Sequence, residues 1–219
     1  MCQAPQAVDE RDECKMSIYK QVLGERFYSL NPMLQRRYEY IDDKPFQAKG
    51  VMKKISGGPK WLYPLIWLGT KRKLLFPEKG CEVPFKIVNT PCVGECGEKQ
   101  IHWERIFYFK NKVRYFNALM SLDLKRGVIK DYLGEPSPLY SDLTFFVSPE
   151  GNLQITSGKQ RLVLGPAELP LPKLLQGNAA ITEKYDEEKG VFLISVEVRN
   201  PLVGTVFSYE GEFLPDEME

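Results

Sequence analysis

The chain has 219 residues, 43% of them hydrophobic and 12% aromatic, enough for one sizeable core and too apolar for a disordered chain. Thirty basic against 29 acidic residues leave a formal charge of +1, so no overall field draws the chain to nucleic acid, an anionic surface or an acidic substrate, and any electrostatic site must be local. No apolar run reaches the roughly 18 residues of a spanning helix and no export signal opens the chain, so a cytoplasmic protein is expected, with Cys2, Cys14, Cys81, Cys92 and Cys96 as thiols.

Residues 1–15 are polar and lack an apolar period, which predicts a flexible tail and leaves 16–219 as a single domain. From Met16 to Tyr40 the apolar positions Ile18, Val22, Phe27, Leu30, Leu34 and Tyr38 recur at helical spacing. Ser17 is a candidate N-cap, and Asn31-Pro32 divides the helix into a pair whose inner faces would lie on a sheet. A turn at Asp42 to Pro45 leads into a strand from Phe46 to Ile55. The following KWLYPLIWLGTKRKLLF, residues 60–76, is the most hydrophobic stretch and predicts one central helix. Apolar runs of this length are usually core, which predicts burial; the competing reading is a lid or interfacial anchor, with Trp61 and Trp67 contacting a membrane surface or a protein and Lys71, Arg72 and Lys73 at headgroups.

A strand at Glu82 to Val88 and a charged, Gly-rich loop at Asn89 to Lys99 precede the best hairpin in the sequence, Gln100 to Leu122, which turns at Lys110-Asn111-Lys112. Further strands are expected at Gly127 to Leu133, around Leu143 to Val147, at Leu153 and Ile155, and at Leu162 to Leu164. The Pro-rich Gly165 to Pro172 is expected to be irregular, with a helical turn at Lys173 to Leu175. The last third alternates most clearly: Phe192, Ile194, Val196 and Val198 share one face, and Phe207, Tyr209 and Phe213 face inward on the next strand. About nine or ten strands exceed what a flat sheet holds comfortably. The prediction is an α+β fold, a large curved antiparallel sheet that is half-barrel or barrel-like, with the N-terminal helical pair and the central hydrophobic helix packed on it.

Six aromatics in the Gln100 hairpin are mixed with charge, which suits the lining of a cavity. Trp103, Arg105 and Phe107 share one strand face, His102 and Glu104 the other, with Arg114 across the turn. An inward Arg105 would demand a carboxylate from the protein or from a ligand. The candidate ligand-binding set is therefore His102, Trp103, Glu104, Arg105, Phe107, Arg114 and Tyr209, and the expected partner is an apolar or amphipathic, lipid-like small molecule with an acidic head. The plainer reading is a structural Arg-Glu pair at a sheet edge.

An enzyme that uses the polar side chains of this hairpin is the alternative, yet the chain has no GxSxG elbow, Walker loop, HExxH or EF-hand loop, and no catalytic residue or cofactor is assigned. Cys81, Cys92, Cys96 and His102 are zinc-type ligands at irregular spacing, so no metal is expected. Lys53-Lys54 and Lys71-Arg72-Lys73 are too short to imply nucleic-acid binding.

The segments WERIFYF (103–109), FNALMS (116–121) and NPLVGTVFSYEGEF (200–213) resemble an uncharacterised bacterial family, a domain of unknown function found alone and, in some proteins, fused behind a saccharopine-dehydrogenase-like domain. The similarity runs from about Tyr19 to Phe213 and implies no established activity, substrate or catalytic residue. A GxGxxG nucleotide fingerprint is absent from this chain.

Overall fold

The computed structural model describes residues 16–39, 44–165 and 167–216; the tail expected at 1–15 and the first half of the turn expected at 42–45 lie outside them. Helix α1, Ile18–Leu23, is capped by Ser17, whose Oγ accepts from the Lys20 amide at 3.2 Å, and it runs into a 3-10 turn, Gly24–Ser29. Helix α2, Pro32–Glu39, opens on the proline, where a missing N–H leaves no bond unmade.

The rest is mostly antiparallel sheet. The strands are β1 (Phe46–Gly57), β2 (Gly80–Val93), β3 (Lys99–Phe109), β4 (Lys112–Tyr115), β5 (Ala118–Asp123) and β6 (Val128–Leu133). They continue as β7 (Leu139–Val147), β8 (Leu153–Leu164), β9 (Ala167–Pro170), β10 (Asn178–Asp186), β11 (Val191–Asn200) and β12 (Gly204–Pro215). A 3-10 turn, Lys60–Leu62, and helix α3, Tyr63–Thr70, lie between β1 and β2, and a second such turn, Lys173–Leu175, lies between β9 and β10.

Ten strands pair in the order β1-β2-β3-β5-β6-β7-β8-β10-β11-β12 and return to β1, which closes a barrel and removes its edges. Closure is made by β8, long enough for its first half to pair with β10 (Leu153 opposite Glu183, Thr156 opposite Ala180) while its second half pairs with β9. Of the half-barrel and barrel-like forms expected, the sheet takes the closed one. Part of the Pro-rich segment expected to be irregular forms β9, an outer strand at the rim where Pro170 need not donate to a second neighbour. Strands β4 and β5 run against β3 in a single register that opens only at Phe116 and Asn117. Gly50 and Gly211 allow β1 and β12 to close up beside the β1 bulge: a Cβ on Gly50 would stand 2.0 Å from the Glu212 carbonyl oxygen, and one on Gly211 2.2 Å from that of Val51.

Inward side chains just meet in a barrel of about eight strands, so ten leave room to spare. The N-terminal segment takes up that room at one end. Its residues Tyr19, Leu23, Phe27, Leu34 and Tyr38, on the faces expected to lie on a sheet, are buried in the core that the barrel strands share. The Trp103 indole donates to the Tyr19 hydroxyl at 2.7 Å, and the Tyr19 ring lies 5.6 Å from Phe145. Asn31 fixes this segment to the rim, its amide donating to Gly151 O at 2.9 Å and its side chain to Glu187 at 3.0 Å.

The opposite end is covered by residues 58–79. Gly58 N donates to Val206 O at 2.6 Å, and Phe76, fully buried, sits 4.9 Å from both Phe107 and Phe207. The burial predicted for the apolar helix is corrected here: only Ile66 of α3 is buried, while Trp61, Leu65, Trp67 and Leu68 are 68%, 68%, 52% and 57% exposed. Phe76 already fills the barrel mouth, so one face of the helix suffices to close over it.

Candidate functional site

The pleat of β3 divides the predicted site residues between two surfaces. Trp103, Arg105 and Phe107 point into the barrel with Tyr209 of β12, and all four are buried. His102 and Glu104 are on the outside, while Arg114, opposite Phe107 on the short β4, lies at the rim of the cap end. Arg114 forks onto Glu78 at 2.8 and 2.6 Å, and this pair, with the Lys112 to Glu78 contact, belongs to the cap-end surface.

Inside, Arg105 is held by backbone. Its Nε donates to Phe116 O at 2.7 Å, available because the ladder opens there, and its guanidinium lies 4.0 Å over the Phe116 ring. Asp131, on the inward face of β6, is 5% exposed and makes no ion pair with Arg105 among the described residues. Burial pushes its carboxyl up to about 7, and the more distant charge of Arg105 only partly opposes that rise. Burial likewise pushes the Tyr209 phenol up, and Arg105 works against it without meeting hydrogen-bond geometry. Asp131 Oδ1, Tyr209 Oη and both polar atoms of the Asn89 amide are buried without a hydrogen-bond partner among the described residues. Each such atom costs about 1–3 kcal/mol, so this wall is polar beyond what the chain itself satisfies.

A second buried charge pair is complete by comparison. Arg37 of α2 reaches Glu183 of β10 through Nε and through Nη2 at 3.2 Å, Tyr38 donates to the same carboxylate at 3.0 Å, and the guanidinium lies 4.3 Å over Phe46 and 5.0 Å over Phe213. This set ties the N-terminal segment to the barrel wall and leaves the carboxylate no free oxygen.

On the outer face, below the cap, Glu135 gathers His102 Nε2 at 2.6 Å, Asn117 Nδ2 at 2.7 Å and Lys73 Nζ at 2.5 Å. Burial pushes the Glu135 carboxyl up, but the donors Lys73, Asn117 and His102 overcome it and hold the group at about 2. The adjoining backbone repeats the clamp: Glu135 N donates to Arg72 O at 2.6 Å and Asn117 N to Lys73 O at 2.8 Å. Asn117 also accepts from the Arg105 amide at 3.4 Å, so one buried side chain joins the inner and outer clusters. The partner of His102 is therefore Glu135 and not its strand neighbour Glu104. A carboxylate so fully committed orients the imidazole and fastens residues 72 and 73.

Among the described residues no three His, Cys, Asp or Glu side chains converge as metal ligands, and Cys81, Cys92 and Cys96 carry free thiols. An open cleft of about 520 Å³ lies at the N-terminal end of the barrel beside Gln21, Lys99 and Lys130, apart from both clusters. No helix among the described residues is long and apolar enough to cross a membrane.

Asp131, Glu183, Arg37 and Glu135 were not singled out from the sequence. Two carried a signal: Asp131 alternates with Ile129, and Glu183 with Ile181 and Tyr185, on what an alternating pattern marks as the inward face. Glu135 sits in a turn, where no period operates.

Residues 30–213 match the model of a family described as Domain of unknown function (DUF4166). The chain is also 41% identical over 203 residues to a Bacillus subtilis (strain 168) protein described as uncharacterized protein YndH, an alignment that covers 93% of this chain and 98% of that one. No solved structure matches.

Proposed function

Since the chain belongs to the bacterial family described as Domain of unknown function (DUF4166), which brings no activity with it, we propose a function from the barrel itself: a binding protein for an amphipathic, lipid-like small molecule. The polar end of the molecule meets Arg105, Asp131 and Tyr209, and residues 58–79 act as the lid. The observation that carries this reading is the group of buried polar atoms left without partners on Asp131, Tyr209 and Asn89 beside a guanidinium that has no paired carboxylate. A ligand carboxylate or hydroxyl would supply the missing bonds, with a charge-assisted fork on Arg105.

Phenylalanines 85, 107, 116 and 207 surround that polar wall, which suits an apolar body attached to a single polar group. Entry is by the mouth that Phe76 plugs. Displacing that one ring would uncover Phe107 and Phe207 and, packed against Phe107, the Tyr209 ring.

Native mass spectrometry of the purified protein, before and after delipidation and titration with oleate, tests the reading. The expected result is a retained adduct, or one restored by oleate, that weakens at least tenfold in Arg105→Met and Asp131→Asn while near-ultraviolet circular dichroism stays native. A wild-type protein and a Phe76→Ala variant that both stay free of adduct at saturating oleate would overturn it.

A further inference from the structure

The exposed apolar side chains are shared unequally between the two ends of the barrel. The N-terminal end carries scattered single residues such as Tyr28, Val93 and Leu124. The cap end carries Trp61, Leu65, Trp67 and Leu68 on one short helical segment, joined at the same rim by Leu174, Leu175 and Leu202. Asn200 braces that second group, its side chain donating to Leu174 O at 2.8 Å and to Gln176 O at 2.9 Å. We infer that the cap end is the face by which this protein lies on an anionic membrane surface, an interaction that goes beyond the ligand reading and does not depend on it.

Charge selects the occupant. Residues 58–79 hold the cations Lys60, Lys71, Arg72, Lys73 and Lys79 against the single carboxylate of Glu78, which Arg114 and Lys112 already occupy. Lys60, Lys71, Arg72 and, on the neighbouring turn, Lys173 are exposed and have no ion pair among the described residues, and Lys71 lies 5.2 Å over the Trp67 ring. An apolar face with two tryptophans, rimmed by unpaired cations, matches the layered chemistry of anionic headgroups over acyl chains. A second copy meeting this face would set cation against cation, which disfavours self-association. With α3 only 8 residues long, the segment lies in the interface and does not cross it.

The test is co-sedimentation of the full chain with vesicles of phosphatidylcholine alone and of phosphatidylcholine with phosphatidylglycerol in equal parts. Binding is expected to the anionic vesicles, to fall as ionic strength rises, and to weaken about fivefold for each cation removed in Lys71→Gln and Arg72→Gln. Trp61→Ser with Trp67→Ser should abolish it without moving the urea midpoint, because both positions are exposed. Wild-type protein that stays in the supernatant with both vesicles overturns the inference, and so does a double tryptophan variant that sediments like wild type. If the wild type instead forms a concentration-dependent dimer that the tryptophan changes dissolve, the face belongs to a second copy and the inference also fails. None of these variants touches the interior wall, so oleate retention in native mass spectrometry reports separately on the ligand reading.

Discussion

The two ends of the barrel are closed by segments of opposite design. At one end the N-terminal helices send Tyr19, Phe27, Arg37 and Tyr38 inward, where every ring has core neighbours and the charge of Arg37 meets a fully engaged carboxylate. At the other, the more hydrophobic segment buries Phe76 and Ile66, packs Leu74 and Leu75 half-buried against the core, and turns Trp61, Leu65, Trp67 and Leu68 to solvent. Hydrophobicity alone therefore does not decide which segment becomes core. What decides is which side chains take the two mouths of the barrel, and the N-terminal segment and Phe76 hold them.

The comparison is broken most forcefully at the buried pair. Arg37→Ala or Glu183→Ala leaves one uncompensated charge in the interior and should cost about 3–5 kcal/mol in urea unfolding, with loss of the near-ultraviolet signal at lower denaturant. Asp131 has the next largest effect. Its folded pKa of about 7 lies above the 3.8 of an ordinary aspartate, so the native state binds the extra proton and wild-type stability falls as pH rises between those values. Asp131→Asn should remove that slope and, above pH 7, raise stability by on the order of a few kcal/mol, as read by urea midpoints across pH.

Smaller effects sharpen the contrast. Tyr19→Phe strips the acceptor from the Trp103 indole and should cost about 1–3 kcal/mol, with a shift in tryptophan emission. Leu65→Ser, on the most apolar helix in the chain, should move the midpoint by less than about 0.5 kcal/mol. A cost for Leu65→Ser equal to that of Tyr19→Phe would show that the cap end is core after all.

Much of the sheet was legible because alternation is a local signal. Phe192, Ile194 and Val196 on β11 and Phe207, Tyr209 and Phe213 on β12 are buried together, and Val196 pairs directly with Tyr209. The same alternation placed Trp103 and Arg105 on one face of β3 and His102 and Glu104 on the other. Closure was not legible, because pairing Leu153 with Glu183 joins positions whose intervening chain bears no mark of it. The environment of α3 was hidden for a related reason: Trp61, Leu65 and Trp67 read as core by composition, and only the filling of the barrel by distant residues excludes them. Asp131 and Glu183 were missed because acidic residues on a strand are taken as outward unless the apolar residues two positions away are counted first.

The central claim, that one end of this barrel is a permanent plug and the other a lid, is tested most directly by native-state hydrogen exchange of the full chain. Amides of residues 60–76 should exchange at least a hundredfold faster than those of 18–39, by local opening that barely responds to urea, and Glu135→Gln should speed the first set while leaving the second unchanged. Equal protection of both segments, or release of residues 18–39 first, would contradict the account.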